Sequence, residues 1–127
     1  MNTTVLIVED DCLLGIALYR LFAQLGFHVI GPARTYEDAL TNFKTHRPDL
    51  VIMDIQIESE RNGVEAAFEI RSMGQTPIVF QSSWTDPYWI RQARELDGTI
   101  LVDKTISLPD WQGILNHIQI PEWQMVA

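Results

Sequence analysis

The chain has a single cysteine, Cys12, which excludes an internal disulfide and fits a reducing cytoplasm. Basic residues are scarce. Nine Lys and Arg stand against seventeen Asp and Glu, a formal net charge of -8, and a nucleic-acid-binding surface needs the opposite balance. No apolar run approaches the roughly 20 residues that span a bilayer. Met1-Asn2-Thr3-Thr4 lacks the basic start of a signal peptide. A cytoplasmic protein with no nucleic-acid or membrane partner is therefore expected. The three histidines, His28, His46 and His117, are scattered singly and point to no His-based metal centre.

What is present is a globular composition, with 46% hydrophobic and 20% charged residues over 127 positions, enough for one domain with a real core. Short apolar runs alternate with helical patterns. Val5-Leu6-Ile7-Val8 reads as a buried strand. Leu13, Leu14, Ala17, Leu18, Leu21, Phe22 and Leu25 then recur at helical spacing before Gly26. Phe27 to Ile30 is a short strand closed by Gly31-Pro32. Thr35 to Asp38 reads as a capping box opening a helix with Ala39, Leu40 and Phe43 inward, and Pro48 ends it.

Asp49-Leu50-Val51-Ile52-Met53-Asp54 is a strand buried on both faces, ending on a carboxylate and a largely polar loop. Gly63 opens a third helix (Val64, Ala67, Phe68, Ile70) ending near Gly74. Pro77 to Phe80 is a fourth strand, and Asp86-Pro87 starts a helix. Thr99 to Val102 is a fifth strand. Ser107 to Asp110 caps a last helix with Trp111, Ile114, Leu115 and Ile118 on its face. The pattern is α/β, a doubly wound five-stranded parallel sheet with helices on both faces. The expected organisation is one domain over residues 1–120 and a short tail over 121–127, with no output domain.

In such a sheet, ligands collect beyond the carboxyl ends of the strands. There Glu9 and Asp10 follow strand one, Asp54 ends strand three, Ser82 follows strand four and Lys104 follows strand five. Three carboxylates in one crevice repel unless a hard cation neutralises them, and oxygen ligands suit Mg²⁺. A carboxylate beside Mg²⁺ can accept a phosphoryl group. A lysine and a hydroxyl can then offset and hydrogen-bond its oxygens.

These motifs resemble those of response-regulator receiver domains of two-component signalling: Val-Leu-Ile-Val-Glu9-Asp10, Pro48-Asp-Leu-Val-Ile-Met-Asp54, Asn62-Gly63-Val-Glu-Ala-Ala, Pro77-Ile-Val-Phe-Gln-Ser82 and Lys104. The resemblance runs from about residue 5 to about 118. It implies a flavodoxin-like fold with Asp54 as phosphoacceptor and Ser82 and Lys104 in contact with the phosphoryl group. It also implies Mg²⁺ held by Glu9 or Asp10, by Asp54 and by the backbone carbonyl of Gln56. The implied donor is a sensor histidine kinase or a histidine phosphotransfer protein, and the implied output is a downstream protein target or a phosphorelay. Catalysis would be confined to the domain's own phosphorylation and dephosphorylation. With no output domain expected, the reading is a stand-alone receiver.

Three residues depart from the family pattern. Leu101 stands where an inward-turning Tyr or Phe is usual, Thr105 follows Lys104 in place of proline, and Glu58 replaces a common loop proline. A cis bond costs roughly 2.5–4 kcal/mol before a residue other than proline, so trans is expected at Lys104-Thr105. By the same resemblance, Gln56 and Trp84 flank the path of the attacking water, and the Trp84 indole is expected to slow dephosphorylation. The aromatic cluster Trp84, Tyr88 and Trp89 is open to two readings, a partner surface or ordinary packing. Two alternatives to a switching receiver stay open: a pseudo-receiver interaction module, and a Mg²⁺-dependent phosphatase with an aspartyl nucleophile. Such phosphatases usually carry Asp-x-Asp after the first strand, where this chain has Glu9-Asp10.

Overall fold

The computed structural model describes residues 3–83, 86–104 and 108–118. The elements follow in strict alternation: β1 Thr4–Val8, α1 Cys12–Gln24, β2 His28–Ala33, α2 Tyr36–His46, β3 Leu50–Asp54, α3 Gly63–Met73, β4 Ile78–Ser82, α4 Pro87–Glu95, β5 Thr99–Asp103 and α5 Leu108–His117. The five strands form one parallel sheet in the order β2-β1-β3-β4-β5. The strand order reverses between β1 and β3, and the crevice opens where their carboxyl ends diverge.

Alternation along the strands divides the core in two. Leu6, Val8, Val51, Met53, Ile78 and Phe80 face the layer that includes Phe43 of α2, Ile70 of α3 and Ala93 of α4. Val5, Ile7, Leu50, Ile52 and Val79 face Leu18 and Phe22 of α1 and Trp111 and Leu115 of α5. Helices therefore cover both faces. The two-residue period of a strand assigns each side chain to one layer.

The sequence reading needs local correction in three places. β2 does not stop at Gly31-Pro32 but continues to Ala33, with a register shift opposite Leu6 to Val8. Proline has no N–H for the ladder, and a bulge accommodates that loss. Gly31, at φ +101 with Ile7 O 2.5 Å from where a Cβ would stand, is the residue that permits it. Leu13 is 81% exposed and Phe68 is 41% exposed, although both have helical spacing from buried neighbours. The stripe that packs in α1 is narrower, centred on Leu18 and Phe22, and Ala66 joins the buried face of α3.

The caps of α1 to α4 follow from short polar side chains before them. Asp11 accepts from the Leu14 N–H at 3.0 Å, Thr35 from Asp38 at 3.1 Å and Asp86 from Tyr88 at 2.8 Å. The reciprocal capping box belongs to α3: Asn62 Oδ1 accepts from the Glu65 N–H and Glu65 Oε1 from the Asn62 N–H, at 3.0 and 3.1 Å. Thr105 and Ser107 lie outside the described residues, as do Trp84 and the tail, so the expectations about the Lys104-Thr105 bond, the last helix cap and the indole shield fall there too. No helix among the described residues is long and apolar enough to cross a membrane.

Candidate functional site

Strand parity builds the site. Counting on from Val5 and Ile7 puts Glu9 on the α1/α5 side of the sheet. Leu50 and Ile52 put Asp54 there, Val79 puts Gln81 there and Val102 puts Lys104 there. Glu9, Asp54 and Gln81 are almost wholly buried, at 1%, 2% and 1% exposure. Carboxylate oxygens of Glu9, Asp10 and Asp54 come within 4.8 Å of one another. Asp11, the third acid of its run, instead caps α1.

Lys104 reaches into this cluster from β5. Its Nζ lies 2.9 Å from Asp54 Oδ2 and 3.3 Å from Glu9 Oε1. Asp54 Oδ1 accepts from the Gln56 N–H at 3.2 Å. Glu9 Oε2 accepts from the Asp11 N–H at 3.0 Å, and Gln81 Nε2 donates to Glu9 Oε1 at 3.4 Å. Ser82 ends β4 one residue past the position opposite Asp54, in register with Asp103.

Burial raises the affinity of all three acids for protons. The Glu9 carboxyl is pushed up chiefly by desolvation, with the Asp54 charge adding to it and the Asp11 N–H opposing it. Asp54 is pushed up by desolvation against the pull of Lys104 and the Gln56 N–H. Asp10 is raised by desolvation and then by the Glu9 charge. For Lys104, burial alone would weaken the ammonium, but the hydrogen bond and charge of Asp54 and the charge of Glu9 outweigh it and raise its pKa. One ammonium against three carboxylates leaves an excess of negative charge. The donor set is all oxygen, which fits a hard divalent cation such as Mg²⁺.

Removing Asp10 should therefore stabilise the protein in chelator. An acid whose folded pKa is raised is held in its unfavoured form once the pH passes its ordinary value. The Asp10→Ala gain in melting temperature should be small near pH 4 and grow toward pH 7. Scanning calorimetry at both pH values checks the sign, and a gain that shrinks with rising pH refutes it.

The loop after Asp54 is stitched to the start of α2. The Glu58 N–H donates to Arg34 O at 3.1 Å, a bond that the family's usual proline cannot make. The Tyr36 N–H donates to Ser59 Oγ at 3.0 Å, and Arg61 Nη1 donates to the Tyr36 hydroxyl at 3.1 Å. Gly63 closes the loop by packing on the backbone of Asp54, whose carbonyl oxygen lies 1.9 Å from where a Cβ would stand. Gly63→Ala must push α3 off the site and should cost about 1–3 kcal/mol. Chemical denaturation reads the loss, and unchanged stability would show that the helix start yields freely.

Leu101 packs half-buried against the layer that holds Phe80, its partner in register. Of the aromatic cluster, Tyr88 is half exposed and stacks edge-on against half-buried Trp89 at 4.9 Å. Gln81 escaped the sequence reading. The available signal was its parity with Asp54, which places a buried amide where the strand pattern calls for an aliphatic residue.

A doubly wound parallel sheet with an acidic crevice at its switch point, crossed by a lysine from the fifth strand, defines the class of CheY-like α/β domains. The sequence model of the response regulator receiver domain matches residues 5–116, and the chain belongs to that family. It is 32% identical over 106 residues to the transcriptional regulatory protein PdtaR of Mycobacterium tuberculosis, covering 84% of this chain and 51% of PdtaR. The chain thus spans about half the length of that relative. The receiver domain of Erythrobacter litoralis PhyR superposes with a TM-score of 0.79 at 27% identity, covering 91% of this chain and 88% of that one. Vibrio cholerae CheY4 shares the fold at 20% identity, with a TM-score of 0.80 over 94% of this chain and 100% of that one.

Proposed function

We propose that this receiver takes a phosphoryl group onto Asp54 from the phosphohistidine of a sensor kinase or phosphotransfer protein, with Mg²⁺, and signals through a downstream protein or a phosphorelay. The observation that carries the reading is the buried Asp54 carboxylate held by Lys104 at 2.9 Å beside Glu9 and Asp10. One oxygen of Asp54 attacks phosphorus, forming the O–P bond as the donor's N–P bond breaks and its electron pair returns to the imidazole. The phosphoryl group carries negative charge into a site already rich in it, so positive charge must meet it.

Lys104 is placed to turn from Asp54 Oδ2 to a phosphoryl oxygen, and Ser82, at the end of the neighbouring strand, donates its hydroxyl to another. Glu9 or Asp10, together with Asp54 and the backbone carbonyl of Gln56, would hold Mg²⁺. When bound, the ion supplies charge that offsets the carboxylates and the incoming phosphoryl oxygens. Water then attacks phosphorus, the Asp54 O–P bond breaks, and inorganic phosphate leaves as the free carboxylate returns.

Incubation with acetyl phosphate, followed by intact-mass measurement, tests the reading. A single added phosphoryl group that requires Mg²⁺ and is lost on mild base treatment is expected. Absence of any label across millimolar Mg²⁺ would favour the pseudo-receiver. Continuous turnover of an external phosphoester would favour the phosphatase.

A further inference from the structure

From the carboxylate contacts, we infer that Gln81 is a positioning residue for Glu9, and through Glu9 for the divalent-ion site. The inference rests on the Mg²⁺-dependent receiver reading. Gln81 is 1% exposed, and its parity along β4 sets it on the α1/α5 side of the sheet, the side that also carries Glu9 and Asp54. A buried amide left without a partner is costly. Among the described residues no buried side-chain nitrogen or oxygen lacks one, and the Gln81 donor is spent on Glu9 Oε1.

Three donors hold that carboxylate: Lys104 and Gln81 on Oε1, and the Asp11 N–H on Oε2. They differ in what happens when a phosphoryl group arrives. Lys104 also bonds Asp54 and is the donor that must turn toward the phosphoryl oxygens. Gln81 and the Asp11 backbone stay. The amide carries no charge, so it holds Glu9 without competing electrostatically with a cation. It thereby fixes the direction in which Glu9 faces Asp10 and Asp54, whether Lys104 is present or withdrawn. Groups that orient a metal site from behind its ligands commonly matter on the order of tenfold or more in metal affinity.

Gln81→Met keeps the length of the side chain and removes the donor, and Gln81→Leu continues the aliphatic pattern of β4 should the first variant fold poorly. Calorimetric Mg²⁺ titration should show affinity weakened on the order of tenfold, with half-maximal acetyl phosphate labelling moved to higher Mg²⁺ and its saturated rate little changed. A thermal-melting cycle in chelator, combining Gln81→Met with Glu9→Met, should be non-additive, because both changes remove the same bond. Unchanged Mg²⁺ affinity, or strictly additive melting shifts, would show that Gln81 only fills space. A wild-type protein that takes up no Mg²⁺ refutes the metal reading, and the melting cycle then decides the role of Gln81 by itself.

Discussion

Asp54→Asn protein incubated with acetyl phosphate and Mg²⁺ is expected to gain no label, while the wild-type chain gains one phosphoryl group. The reason is local. An amide oxygen is a far weaker nucleophile than a carboxylate, and among the described residues no other carboxylate shares the position of Asp54 between Lys104 and the Gln56 N–H. Glu9 is the nearest rival, but it is held by one donor more than Asp54: Gln81 and Lys104 on Oε1 and the Asp11 N–H on Oε2. The fold should persist, because asparagine has nearly the same shape and its oxygen can still accept from Gln56. Intact mass and circular dichroism on the two proteins make the comparison. Labelling of Asp54→Asn at the wild-type level would place the acceptor elsewhere.

Lys104→Met should lower stability more than any other single change at the site. The Lys104 side chain is 18% exposed, and the side chains of its partners Asp54 and Glu9 are 3% and 0% exposed. Removing the cation strands two buried carboxylates. Losing one partner of a buried pair costs roughly 3–5 kcal/mol, a fall on the order of 10 °C in melting temperature. The sign with pH follows from the acids. Without Lys104 their already raised pKa values rise further, so the native state binds more protons than the unfolded one. The deficit should then be largest near pH 7 and shrink as the pH falls toward the ordinary carboxylate range. Millimolar Mg²⁺ should recover part of the loss, since a divalent ion supplies the missing charge. A deficit independent of both pH and Mg²⁺ would mean that Lys104 acts through packing alone.

Much of this was legible in the order of residues. Buried parallel strands are continuous apolar runs, and five of them with helical patterns between leave few topologies open. The acids at the ends of β1 and β3 and the lysine after β5 could be placed on one edge from strand order alone. Local turn chemistry was harder. Gly31-Pro32 reads as a strand end because proline breaks the ladder, yet the strand passes it by a bulge that only Gly31 allows. Leu13 and Phe68 keep helical spacing but face outward. Periodicity gives the angle of a side chain about its helix, not the width of the surface that the helix covers.

The sequence by itself determined the alternation of elements, the sheet's parallel class, and which residues stand at its carboxyl edge. These rest on short-range rules: period, caps and breakers. Tertiary structure alone decided how those residues pair. Whether Lys104 meets Asp54, Glu9 or both depends on the spacing of β1, β3 and β5 across the sheet, and no local pattern encodes that distance. The same holds for Gln81, an unremarked polar residue in an apolar run. Its donor finds Glu9 across 72 positions of chain only because β4 lies beside β3, and β3 beside β1. Burial then gives these contacts their weight, because desolvation strengthens each interaction and raises the cost of every carboxylate left without one.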